Sequence, residues 1–106
     1  ERAAAEAAVD AGLGAEVRAL DRARSAMQSG RPDDALRALE QYEREFSGGA
    51  LAPEARVMRI DALRRAGRTA QAEAMGRDFL ARHPDSPHAR RVRSLIAGAG
   101  GGHQNR

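Results

Sequence analysis

The chain has 106 residues, enough for one domain, and is dominated by Ala, Leu, Arg, Glu and Gln, all good helix formers, so strands are poorly supported. Every one of its 18 basic residues is Arg, and 15 acidic residues interspersed with them leave a net charge of +3, the pattern of a solvated mixed surface rather than of a nucleic-acid binder. The absence of Cys excludes a disulfide framework, a thiolate metal site and a Cys nucleophile, and no apolar run nears the roughly 20 residues of a membrane helix.

In chain order, residues 1–12 are rich in Ala and Glu with little periodicity and read as an N-terminal helical lead-in, which Gly12 and Gly14 are expected to interrupt. Leu13, Val17, Leu20, Ala23 and Met27 then recur at spacings of three and four, one face of a helix, and Gly30 supplies its stop. Pro32 suits the first position of a second helix, with Asp33 and Asp34 at its positive dipole end. The stripe of that helix is Ala35, Leu36, Leu39, Tyr42 and Phe46, and Ser47-Gly48-Gly49 reads as a flexible break. Pro53 opens a third helix carrying Val57, Ile60, Ala62, Leu63 and Ala66, and Gly67 ends it. A fourth runs from Thr69 to Arg82 with Ala72, Met75, Phe79 and Leu80 on one face, and His83-Pro84-Asp85 breaks it. Ser86 as N-cap and Pro87 at the first position start a fifth, whose buried side is Ala89, Val92, Leu95 and Ile96. The domain is thus expected over residues 13–97, and the Gly-rich, polar stretch 98–106 is expected to be disordered.

The segments repeat. Gly30, Ala35 and Tyr42 meet Gly67, Ala72 and Phe79 at an offset of 37, whereas Pro53, Ala55 and Arg56 meet Pro87, Ala89 and Arg90 at an offset of 34. The unit is therefore a helical hairpin of 34 residues whose first copy has a three-residue insertion in the loop Ser47–Leu51. One such hairpin cannot bury its apolar face alone, but two and a closing helix can. With Tyr42, Phe46 and Phe79 the only rings, the core must come from small side chains that let helices approach closely.

A 34-residue helical hairpin with a short turn at Gly67, a small crossing residue at Ala72, a packing ring at Phe79 and a terminal Pro84 resembles the tetratricopeptide repeat. The first copy has Ser47 where that Pro is expected. Arg56 stands where the first helix of the repeat has a large aromatic residue, and Gly76 replaces a usual large residue. The stretches Phe46-Ser47…Ala52-Pro53-Glu54-Ala55 and Phe79-Leu80…His83-Pro84-Asp85-Ser86-Pro87…Ala89 are similar to repeats of bacterial cell-envelope proteins, of the Tol-Pal coordinator and barrel-assembly lipoprotein type, and to C-terminal modules of membrane-anchored regulators. The resemblance implies an all-α fold of antiparallel hairpins stacked as a short solenoid of about two repeats and a closing helix. It also implies a non-catalytic protein-interaction module, in a periplasmic or envelope-associated bacterial protein with the cytoplasm as the alternative.

Chemistry is sparse by comparison. His83 and His88 with Asp85 between them lack the i, i+4 spacing of a helical metal site, and His103 lies in the tail, so no metal and no cofactor is expected. Asp33 and Asp34 serve as first-turn residues, Gly98–Gly102 is followed by no helix that could cradle phosphate, and no catalytic residue stands out.

The expected working surface is the concave side formed by the first helix of each hairpin. The groove positions that the resemblance implies are Val17, Leu20, Arg24, Met27 and Gln28 in the first copy and Glu54, Val57, Asp61, Arg64 and Arg65 in the second, with His88 and Arg91 from the closing helix. Such a surface suits a peptide or helix of a protein partner. Self-association into a homodimer through an apolar flank is the second reading, and Arg-mediated binding of nucleic acid or of an acidic partner the third.

Overall fold

The computed structural model describes the backbone of residues 2–101 and the side chains of residues 12–97. Five helices follow one another: α1 (Arg2–Gln28), α2 (Pro32–Glu45), α3 (Ala52–Arg65), α4 (Thr69–Arg82) and α5 (Ala89–Gly101). Each packs antiparallel on the next, and α1 and α5 also touch α3. The result is two stacked helical hairpins and a closing helix, with α1, α3 and α5 side by side on one face. Among the described residues there is no strand.

The turns inside the two hairpins are built identically. Gly30 and Gly67 hold φ of 73° and 83°, a left-handed conformation that only Gly adopts without strain. At the first turn, the Arg31 N–H donates to the Ala26 carbonyl at 2.8 Å and the Gly30 N–H to the Met27 carbonyl at 3.1 Å. At the second, Arg68 donates to Leu63 at 2.9 Å and Gly67 to Arg64 at 3.1 Å. Both form the paired 6→1 and 5→2 bonds of a Schellman end, which satisfies carbonyls that a helix terminus otherwise orphans. Ser86 was expected to cap the last helix with Pro87 at its first position, but α5 begins two residues later at Ala89: Ser86 Oγ accepts from the His88 N–H at 3.0 Å and its carbonyl from the Ala89 N–H at 3.0 Å, in a turn that leads into the helix.

The core is continuous through the stack. Leu20, Ala23, Leu39, Tyr42, Ile60, Ala62, Ala72, Phe79 and Val92 are all essentially sealed from solvent. The central helix α3 is buried around most of its circumference through Ala55, Val57, Ile60, Asp61, Ala62 and Leu63, because neighbours cover it on several sides. Gly76 of α4 is buried as well, and a Cβ there would overlap the Ile96 side chain and press on Val92. Absence of a side chain at this position lets α5 close onto α4, which explains the departure from a large residue.

Three expectations are corrected. First, Gly12 and Gly14 do not interrupt α1, which runs unbroken from Arg2 to Gln28. An isolated helical Gly costs only about 1 kcal/mol relative to Ala, and flanking Ala, Glu, Leu and Val outweigh it. Second, Leu13 and Val17 belong to the stripe by spacing, yet they are 40% and 42% exposed, because no neighbouring helix covers that side of this part of α1 among the described residues. Third, α5 continues to Gly101, past the boundary expected at residue 97. Once a helix is nucleated each further residue adds a bond, and residues 102–106 lie outside the described residues.

The loop read as a flexible break is anchored. Glu16 of α1 is buried and accepts from Tyr42 Oη at 2.8 Å, from the Leu51 N–H at 3.1 Å and from the Ala50 N–H at 3.4 Å. Gly49 lies so close that an added Cβ would sit 2.5 Å from Glu16 Oε1 and 2.9 Å from the Phe46 carbonyl. The Tyr42 hydroxyl first, then the Leu51 N–H, holds the Glu16 carboxyl below its ordinary 4.5, while burial works the other way. Burial first, then the bond to Glu16, pushes the Tyr42 phenol up, so it remains a neutral donor. Nothing in the local pattern marks Glu16, because its partners are 26 to 35 residues away.

Candidate functional site

The parallel array of α1, α3 and α5 encloses a groove of about 360 Å³. Its lining is Arg24, Met27 and Gln28 from α1, Glu54, Val57, Met58, Asp61 and Arg65 from α3, and His88 and Arg91 from the start of the last helix. Met27, Val57 and half-buried Met58 make the floor, and the charged side chains make the walls. The helical hairpins fix these positions: Gly30 and Gly67 set where α1 and α3 end.

Nine of the positions expected in the groove therefore come together there: Arg24, Met27, Gln28, Glu54, Val57, Asp61, Arg65, His88 and Arg91. Three do not. Val17 lies on the exposed flank of α1, Leu20 is a core residue at 2% exposure, and Arg64 is half-buried outside the lining. Leu20 is part of the continuous core, so a groove position by register is a core position by packing. Met58 was not expected. It follows Val57 directly, and a one-face reading of the helix selects only one of the two.

Asp61 organises the groove. At 5% exposure it is one of two buried acids among the described residues, the other being Glu16. Its Oδ1 accepts from Arg64 Nη2 at 3.0 Å and from Arg65 Nε at 3.1 Å, and its Oδ2 from Arg91 Nη2 at 3.4 Å. The first two bonds lie within α3. The third ties α5 to α3 across thirty residues of sequence, so the closing helix is fixed by a charge as well as by packing. Arg64 Nε is buried and has no hydrogen-bond partner among the described residues. Arg24 is engaged by Asp21 at 2.6 Å on the exposed surface, an interaction worth little in water.

A second concavity of about 660 Å³ lies on the opposite side, over Leu36, Leu63 and Met75. Its charged rim is already paired, Arg59 with Glu40 at 3.9 Å and Arg68 with Asp33 at 3.8 Å. Of the two His residues considered as ligands, His83 is exposed with its ring 5.2 Å from that of Phe79, and His88 is part of the groove wall. Among the described residues no three His, Asp or Glu side chains gather as a metal would need, and no helix is long and apolar enough to cross a membrane.

Neither curated proteins nor solved structures returned a match to this chain. A family model described as tetratricopeptide repeat matches residues 20–87 and again 57–101. The two windows start 37 residues apart, the offset that separates Gly30 from Gly67. With a matched span covering most of the chain, and helical hairpins stacked around shared glycine turns, the protein belongs to the tetratricopeptide repeat family.

Proposed function

We propose that this domain is a protein-interaction module that holds a peptide or helix of its partner in the concave groove, and that it carries out no chemistry of its own. Tetratricopeptide repeats generally mediate protein–protein contacts. The observation that carries the reading is the groove itself: an apolar floor of Met27, Val57 and Met58 between charged walls, all on well-packed helices. A surface preformed in this way leaves most of the ordering cost to the partner. Methionine side chains are flexible and polarizable, which suits a floor that must fit an irregular ligand.

A photo-crosslinking side chain at Gln28, inside the groove, tests the proposal against one at Gln71 on the opposite face. Adducts from Gln28 that disappear on Arg65→Glu are expected. Equal adducts from both positions, or adducts indifferent to Arg65→Glu in a variant of unchanged helicity, would remove the groove assignment. A second reading is self-association, favoured by exposed Leu13 and Val17 four residues apart on α1. Charged replacements there would weaken a dimer and leave groove binding alone. The envelope setting in a bacterial protein is supported by the similarity of the Phe46…Ala55 and Phe79…Ala89 stretches to envelope repeats, and fractionation of cells making the protein tests it.

A further inference from the structure

Among the described residues, α2 and α4 both pack on α3 and not on each other, so the side of α3 between them stays open. Toward the C-terminal ends of α2 and α4 this gap is a cavity of about 310 Å³ that shares no residue with the groove. Half-buried Arg56 and Arg59 line it from α3, half-buried Met75 and the core residue Phe79 from α4, and exposed Glu43 from α2. Its charges are unequally committed. Arg82 Nε lies 3.0 Å from Asp78, and Arg59 lies 3.9 Å from Glu40 beside the cavity. Arg56 and Glu43 make no ion pair among the described residues, with each other or elsewhere. With Glu40 counted, three Arg face three acids, so the cavity has no excess charge to attract an ion.

What the cavity gathers is attraction for aromatic rings. A guanidinium stacks on a ring face, a thioether sulfur favours a ring edge, and one ring packs against another. Arg56, Met75 and Phe79 bring one group of each kind to a single place. The chain has no ring of its own to put there, since Tyr42 and Phe79 are core and Phe46 is half-buried beside Tyr42. We infer that the cavity takes a tryptophan or tyrosine side chain presented by a protein partner, as a contact point separate from the groove. Arg56 covers the face of that ring and gives up no internal ion pair to do so. Met75 and Phe79 meet its edge, and Glu43 at the rim accepts from the indole N–H or phenol O–H. That the ring arrives on a protein rests on the interaction reading above, but the cavity does not depend on the groove.

The methionines make the test site-specific. The chain has three of them and no tryptophan. Met27 and Met58 line the groove and Met75 the cavity, so isotope-labelled methyl signals report the two sites separately. Titration of the full chain with N-acetyltryptophanamide should shift the Met75 methyl by ring current, saturably, and leave Met27 and Met58 in place. N-acetyltyrosinamide should act alike, and N-acetylleucinamide should not. Arg56→Ala should weaken probe binding about two- to fivefold, the range for an exposed cation–π contact. Arg56→Phe, which supplies a ring from within, should block the probe. Helicity by circular dichroism verifies that each variant is folded, and if Arg56→Ala is not, Arg56→Phe and the probe series decide the matter. Shifts confined to Met27 or Met58 would overturn the inference and leave the groove reading standing. Equal shifts with N-acetylleucinamide, undiminished probe binding in folded Arg56→Phe, or no saturable shift at any methyl would also overturn it. The groove reading is tested separately by crosslinking at Gln28, so failure of either is distinguishable from failure of the other.

Discussion

Glu16 joins a helix, a ring hydroxyl and a loop through one carboxylate, so its ionisation should be visible in stability. Its folded value lies below the ordinary one, so its contribution is complete above the unfolded value near pH 4.5 and is lost as pH falls through the folded value. The wild type should therefore lose melting temperature on acidification below about pH 4.5, and Glu16→Gln should show a smaller loss over the same window, with the two curves converging in acid. Tyr42→Phe keeps the ring beside Phe46, 5.4 Å between centroids, while removing the largest cause of the depressed value. It should destabilise the domain and move the acid limb to higher pH. Thermal melts across pH 2–8 decide both. At the hairpin turn, Gly67→Ala forces a side chain into φ of 83° and should cost about 1–2 kcal/mol, near 4–8 °C of melting temperature per kcal/mol for a domain of this size.

Among the elements, α3 and α5 depend most on their neighbours. Ile60 is fully sealed at the centre of α3, so Ile60→Ala should cost about 2–5 kcal/mol in a denaturant titration. Closure of α5 onto α4 depends on the bare backbone at Gly76. Replacing it with Leu should overpack the contact with Ile96 and Val92 and cost about 1–3 kcal/mol or more. The predicted signature is selective: hydrogen exchange should rise first in α5, while the α1–α2 hairpin with its Glu16 anchor stays protected, because among the described residues α5 packs on α3 and α4 and not on that hairpin. Uniform loss of protection would mean that the stack melts as one unit.

For the molecule as a whole, the interaction reading requires an open groove. Light scattering over a hundredfold range of concentration should return a constant mass of 11.3 kDa. A concentration-dependent mass, reversed by Leu13→Glu or Val17→Glu, would instead assign the exposed flank of α1 to a homodimer and move the structural reading ahead. Arg-mediated nucleic-acid binding, the third reading, predicts an affinity that collapses with salt, which a titration of DNA binding against ionic strength checks.

Local chemistry alone determined the number and order of the helices and the ends of those inside the repeats. The spacing of apolar residues, Gly30 and Gly67 after the last turns, and Pro32 and Pro53 at the first act within a few residues of where they stand. Repetition at offsets of 37 and 34 extended that local information to a stacked hairpin, and through it to the side of the array on which Arg24, Asp61 and Arg91 meet. What only the tertiary structure decided are contacts between groups far apart in sequence. Leu20 is core and Val17 exposed, although both lie on one stripe, because burial depends on which helix covers each turn. Glu16 is a structural acid rather than a surface one, Gly76 is a helix contact rather than a gap, and Asp61 gathers two cations from its own helix and a third from a helix thirty residues on. Periodicity cannot carry such facts, since a side chain's cost or gain on burial is set by partners that the fold alone brings within hydrogen-bonding distance.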